Sequence, residues 1–206
     1  MLWQQGLSRQ AIVDLAKSLF DAADGRLAVN HPTGLLGANY ADVANWHGPL
    51  KQLVFRYRTR GGYKGEMIAV DLLPHALSLL LTLGAKSGTE IGMPTKIDIR
   101  RGDDQWHLDA NFGPVHCRFE FSQDPALAGS ELAFAVNGVE IRREQEAAGN
   151  GFRVFLAFAG KRVEVANPMS ASIQEAIATA RAGRAMTGEP AYSTRIVAMM
   201  ADLLLG

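Results

Sequence analysis

Asp71 and His75 are the pair in this sequence best suited to chemistry. They stand four residues apart in the stretch GEMIAVDLLPH, residues 65–75, and on a helix that spacing places two side chains on one face. An aspartate there can orient an imidazole, whose near-neutral pKa suits proton transfer to or from a hydroxyl. The same residues also fit a plainer arrangement, with Asp71 as an N-cap and His75 as a hydrogen-bonded histidine of a buried helix. Spacing alone leaves both open.

The other candidates carry less. His107 and His116 fall in neighbouring expected strands, where alternation explains them better than metal binding does. His31, before Pro32, and His47, before Gly48-Pro49, read as solvent-side residues. Cys117 follows His116 in a strand and so points to the opposite face, toward the core. Arg100-Arg101 and Arg142-Arg143 read as solvated strand faces rather than as a phosphate site. The sequence contains neither Gly-x-Gly-x-x-Gly nor Gly-x-x-x-x-Gly-Lys-Ser/Thr, the turns that cradle nucleotide phosphates. A dinucleotide would have to be held elsewhere.

The elements that must position these residues follow from periodicity. Ile12, Leu15, Ala16, Leu19 and Phe20 recur at helical spacing behind Ser8, a natural N-cap, and Asp24-Gly25 ends that helix. A short strand is expected over 26–29, a helix over 38–46, and a strand over 51–58 with Leu53, Phe55 and Tyr57 on one face. After the glycines at 61, 62 and 65, the leucine-rich stretch 71–83 reads as a buried helix. Pro74 would lie in its first turn and Gly84 would stop it. From Pro94 onward strands are expected over 96–101, 106–112, 115–122, 131–136, 139–146 and 152–166, the last broken by the turn at Gly160-Lys161. Asn137-Gly138 between alternating segments is a strong hairpin signal, since both residues tolerate positive φ. Closely spaced strands of this kind argue for an antiparallel meander. Ser172-x-x-Glu175 resembles a capping box opening a helix over 173–182, and Ile196, Val197, Met199, Met200, Leu203 and Leu204 give a final helix its apolar face. The expected fold is α+β: a predominantly antiparallel open sheet with helices packed on one face.

Composition narrows the function classes. With 48% hydrophobic and 20% charged residues in 206, a substantial packed core is expected and disorder is not. Twenty-one basic residues balance 21 acidic ones, so nothing advertises a nucleic-acid partner. No secretory leader pattern stands at Met1–Gly6, and the apolar run 76–83 is less than half a membrane span. One cysteine, Cys117, forbids an internal disulfide and suits a cytoplasmic setting.

The succession GRLAVNH (25–31), ANYADVANWHGPL (38–50), KQLVFRYRTR (51–60) and GEMIAVDLLPHALSLLLTLG (65–84) resembles the glucose–fructose oxidoreductase / inositol dehydrogenase (Gfo/Idh/MocA) family. The closing stretch from Val163 also looks like that family's last strand and helices. The resemblance runs from about Leu7 to the end, and it covers only the family's later portion. It implies that residues 1–30 are a remnant of the last helix and strand of a Rossmann-type domain, and that 31–206 form the C-terminal substrate and oligomerisation domain. The family's Glu-Lys-Pro motif would fall near Leu2-Trp3-Gln4, where neither the lysine nor the proline stands. Asp71 and His75 match the family's Asp-x-x-x-His. His75 would accept a substrate hydroxyl proton, assisted by Asp71, while NAD or NADP takes the hydride.

Three readings follow. In the first, the chain is the substrate-binding and oligomerisation half of an NAD(P)-dependent oxidoreductase acting on a sugar, polyol or similar small molecule, inactive until a separate Rossmann-domain partner supplies the cofactor. In the second it is a stand-alone non-catalytic small-molecule-binding or dimerisation module. In the third it works alone as a different enzyme using Asp71 and His75. A homodimer through the sheet is expected, supported by exposed apolar residues at alternate positions of 152–165. No membrane partner is expected.

Overall fold

A computed structural model describes residues 6–24, 27, 29–149, 151–184 and 189–205. Helices α1 (Arg9–Ala23) and α2 (Pro32–Val43) precede strand β1 (Gln52–Thr59) and helix α3 (Glu66–Ser87). Seven strands follow: β2 (Pro94–Arg101), β3 (Gln105–Phe112), β4 (Val115–Gln123), β5 (Glu131–Val136), β6 (Val139–Ala148), β7 (Gly151–Phe158) and β8 (Lys161–Val165). Helices α4 (Pro168–Arg181) and α5 (Glu189–Leu205) close the chain. All eight strands form one sheet in the order β2-β3-β4-β1-β5-β6-β7-β8. Every pairing is antiparallel except β1 with β4. The expected α+β class is the observed one.

The meander expected from sequence is split. β2–β4 and β5–β8 are each consecutive hairpins, and β1 lies between the two groups. The connection 124–130 lets the chain step over β1, and Asp124 shapes its start by accepting from the Ala126 N–H at 2.9 Å. Asn137 ties the turn of the β5–β6 hairpin to β1. Its Oδ1 accepts from the Lys51 and Gln52 backbone N–H groups, and its Nδ2 donates to the Pro49 carbonyl. Asn137 takes φ 50° and Gly138 φ 87°, the left-handed pair this turn requires.

Alternation sorts the sheet into two faces. Leu53 and Phe55 of β1, Trp106 and Phe112 of β3, Phe119 and Phe121 of β4 and Phe134 of β5 all lie buried on the helix side. Phe55 meets Phe119 and Phe121 edge to face, while Trp106 is stacked on Phe121 at 5.6 Å. The leucines of α3 complete this core together with α2 and α5. By length and apolar composition α3 could cross a membrane, yet it is packed into the core, as the central helix of a soluble fold is.

Several boundaries differ from expectation. The helix expected over 38–46 starts six residues earlier, with His31 as N-cap and Pro32 at its first position. Gly34 and Gly37, which look like loop residues in sequence, let α2 press against α3; a Cβ on Gly37 would lie 2.6 Å from Leu79 Cδ1. The α3 helix begins at Glu66, so Pro74 is interior, and it runs past Gly84 to a left-handed cap at Gly88. Gly84 is there for packing, since a Cβ would meet Ile91 Cγ1 at 2.5 Å. The α4 helix opens at Asn167, which caps the Met169 and Ser170 N–H groups, so Ser172 is not the cap. The strand expected over 26–29 lies partly outside the described residues, and the described Leu27 and Val29 are not in a strand. Helix α1 is capped by Ser8 as expected, and it packs on α5, with Arg9 bridging Asp202.

Candidate functional site

The central part of α3 carries Asp71 and His75 across the C-terminal end of β1. Asp71 is not the N-cap; that place belongs to Gly65, whose φ of 57° and ψ of −130° only glycine adopts readily. Asp71 stands in the second turn, exposed, while His75 is half-buried one turn on. Desolvation raises the Asp71 pKa above its ordinary value. No hydrogen bond or ion pair joins Asp71 to His75. The imidazole is held instead by Thr33 of α2, whose Oγ1 lies 2.9 Å from His75 Nδ1. The second ring nitrogen, Nε2, has no hydrogen-bond partner among the described residues.

The surroundings of His75 come from distant parts of the chain. Tyr57 of β1 meets its ring edge-on at 5.3 Å. The Arg143 guanidinium from β6 lies 5.9 Å from the Tyr57 ring centre. Register explains that reach: on the helix-side face Tyr57 pairs with Leu132, and Leu132 pairs with Arg143. His31, at the start of α2, places Nε2 2.8 Å from Ser193 Oγ of α5 and packs edge-on against Tyr192. Burial, then the positive charge of Arg143, then His31 lower the His75 pKa to about 4. The imidazole is therefore neutral around pH 7, the form that accepts a proton.

Two expectations change here. His31 is half-buried and part of this cluster, not a solvent-side residue. Arg143 is not on the solvated strand face either, although its neighbour Arg142 is, beside Glu140. Thr33, Tyr57 and Ser193 were not singled out in the sequence, because a lone hydroxyl or phenol has no spacing signature.

The remaining candidates stay apart. His107 and His116 share the open face of the sheet but sit in different rows, opposite Glu120 and Asn111 respectively. His116 bonds Asp109 at 2.8 Å and, with Arg118, holds that carboxylate below its usual pKa. His47 is exposed beside Asn45. Cys117 is fully buried in the core, where desolvation pushes its thiol pKa far up. Arg100 pairs with Asp98, and Arg101 bridges to Glu66 at the start of α3. A cavity of about 620 Å³ opens between α3 and α5, away from His75. Its polar groups serve the fold: Thr89 Oγ1 accepts from the Leu50 N–H, Tyr192 donates to the Ser78 carbonyl, and Lys86 pairs with Asp42.

No family model matches the sequence, and no curated protein does. Solved structures match in fold. UDP-N-acetylglucosamine 3-dehydrogenase GnnA from Acidithiobacillus ferrooxidans is 10% identical with a TM-score of 0.59, over 94% of this chain and 66% of that one. The oxidoreductase yvaA from Bacillus subtilis is 12% identical with a TM-score of 0.60, over 94% of this chain and 68% of that one. A mutant 3-ketoreductase from Actinomadura kijaniata, solved with TDP-benzene and NADP, is 13% identical with a TM-score of 0.59, over 94% and 66%. The chain spans about two thirds of the length of these proteins. The architecture, with its open mixed sheet and helices on one face, is the C-terminal domain fold of the Gfo/Idh/MocA-type oxidoreductases.

Proposed function

We propose that this chain is the substrate-side half of an NAD(P)-dependent oxidoreductase that acts on a sugar, polyol or similar small molecule. The observation that carries the reading is His75: a neutral imidazole, fixed at Nδ1 by Thr33, with no partner for Nε2 among the described residues, on the fold of sugar-nucleotide and related oxidoreductases. In this reading Nε2 accepts the proton of a substrate hydroxyl, Tyr57 positions the ring, and Asp71, one turn away on the same helical face, assists through its charge.

The chain's own residues do not fit a dinucleotide. Among the described residues the glycine-rich turn that leads from a strand into a helix is 61–65, and the helix it opens carries Glu66 in its first turn. A carboxylate there opposes a pyrophosphate, where a nucleotide fold would offer bare backbone N–H groups. A separate Rossmann-type domain is the proposed source of NAD or NADP, and a cytoplasmic location goes with this reading. The same misfit favours a second reading, a non-catalytic binding module.

Titration of the purified chain with NADH and NADPH by calorimetry is expected to give no binding at millimolar cofactor. Micromolar binding would overturn the half-enzyme reading, because a cofactor site would then exist without the glycine loop.

We also propose a homodimer through the open face of the sheet. The expected row of exposed apolar residues is not what supports it: Phe155 is buried beneath the Arg153 and Arg162 guanidinium groups, at 5.2 and 3.5 Å from its ring centre. That face instead carries ion pairs of both signs, such as Arg56–Glu120, Arg153–Glu164 and Arg162–Glu144. Mixed charge of this kind can complement itself across a two-fold axis. Light scattering after size exclusion is expected to give twice 22.3 kDa, with dissociation at high salt. A strict monomer at micromolar concentration sinks the idea.

A further inference from the structure

We propose that Arg143 is the specificity-determining residue of the His75 site and that the substrate carries an oxyanion, a carboxylate or a phosphate, which its guanidinium receives. The inference rests on the reading of His75 as the proton acceptor and adds the chemical class of what binds there.

Arginines elsewhere on the sheet are neutralised. Arg56, Arg58, Arg118, Arg153 and Arg162 each hold a carboxylate on the open face. Arg143 holds none. Its Nη2 donates to the carbonyl and hydroxyl oxygens of Ser130, Nη1 has no partner among the described residues, and Nε is buried without any hydrogen bond. Burying a donor of a charged group without a partner is costly. The strand pattern makes the choice of residue pointed. Period two gives the helix-side face of β6 Val139, Ile141 and Arg143 in succession, so a cation stands where the preceding positions of the row are apolar.

The location matches a substrate role. Arg143 and His75 both approach one ring, that of Tyr57, at 5.9 and 5.3 Å. The charged and titratable groups around them are His31 from the start of α2, Asp71 and His75 from α3, and Arg143 itself. No carboxylate pairs with Arg143: Asp71 makes no ion pair, and Glu66 is taken by Arg101. Glu144, next in sequence, points to the opposite face and pairs with Arg162. Arg143 thus places a positive charge that no carboxylate pairs with beside a neutral base. Such a charge suits an anionic group at one end of a polyol whose hydroxyl lies over His75. Nη1 is the donor left for such a group, and a lysine, with one point charge, would not keep both the Ser130 contacts and that donor.

The test uses the purified chain and three probes: gluconate, inorganic phosphate and the neutral polyol sorbitol. Calorimetry is expected to show gluconate binding at least about tenfold tighter than sorbitol. Arg143→Gln is expected to remove that preference, and Arg143→Lys to restore only part of it. Gluconate is also expected to shift the His75 ring resonances and to raise the pH at which they titrate, since the anion offsets the Arg143 charge. Competition decides the source of the oxyanion: phosphate displacing gluconate points to a phosphorylated substrate, and no displacement to a carboxylate. Equal binding of gluconate and sorbitol, or undiminished gluconate binding by Arg143→Gln with a native circular dichroism spectrum, would falsify the proposal. Either result leaves the His75 reading standing, because that reading fails separately, through His75→Asn.

Discussion

Replacing His75 with Asn is expected to lower turnover by about 10²–10⁴-fold once the chain is combined with a cofactor-bearing domain and a polyol substrate. Asparagine keeps a polar group near Thr33 but cannot take a proton from an alcohol. KM should move little, because the proton acceptor acts on the chemical step. Activity that survives the change intact means the base has been wrongly assigned. A second readout needs no substrate. The His75 pKa is lowered from 6.5 to about 4 by burial and by Arg143. Between those pH values the unfolded chain binds a proton that the folded chain refuses, so stability rises with pH across the window. The folded state is expected to lose about 3 kcal/mol on acidification from about pH 7 to about pH 4 through this group alone. His75→Asn should flatten that part of the profile, measured as urea midpoints against pH. An unchanged slope would mean that His75 is not held neutral by the fold.

Phe55→Ala is expected to cost about 3–5 kcal/mol, a large share of the roughly 5–15 kcal/mol that stabilises a domain. Phe55 is fully buried in β1, with ring centres of Phe119 and Phe121 at 6.4 and 6.1 Å and Tyr57 at 6.0 Å. Its strand is the seam between the two hairpin groups, parallel to β4 on one side and antiparallel to β5 on the other. A cavity there loosens both pairings. The consequence reaches the site, because Tyr57 and, through Leu132, Arg143 take their places from the same register. Phe152→Ala on β7, where the ring is 57% exposed, should change stability by no more than about 0.5 kcal/mol. Comparable losses for the two variants in urea denaturation would show that β1 is not the seam.

Much of this architecture was legible in the residues. Alternation in 105–136 put the right side chains inside, and Asn137-Gly138 announced its hairpin, because a strand's faces and a tight turn are local properties. The Asp71–His75 spacing places both residues on one face for the same reason: four residues on a helix share a face wherever that helix lies. Helix starts were less readable. Gly34 and Gly37 look like loop residues until α3 lies against them, and the true cap of α4, Asn167, was hidden behind the better-looking Ser172.

What the sequence by itself determined, then, was the α+β class, the buried α3 and most strands. The insertion of β1 between β4 and β5 belongs to tertiary structure, since strand order depends on long-range pairings that leave no trace in periodicity. The company of His75 was decided the same way. Thr33 and His31 come from the start of α2, Tyr57 from β1 and Arg143 from β6, and each was unremarkable in its own segment. Arg143 shows why most clearly: beside Arg142 it looked like half of a solvated pair, yet a strand sends neighbours to opposite faces, and only the sheet's packing shows which face is buried.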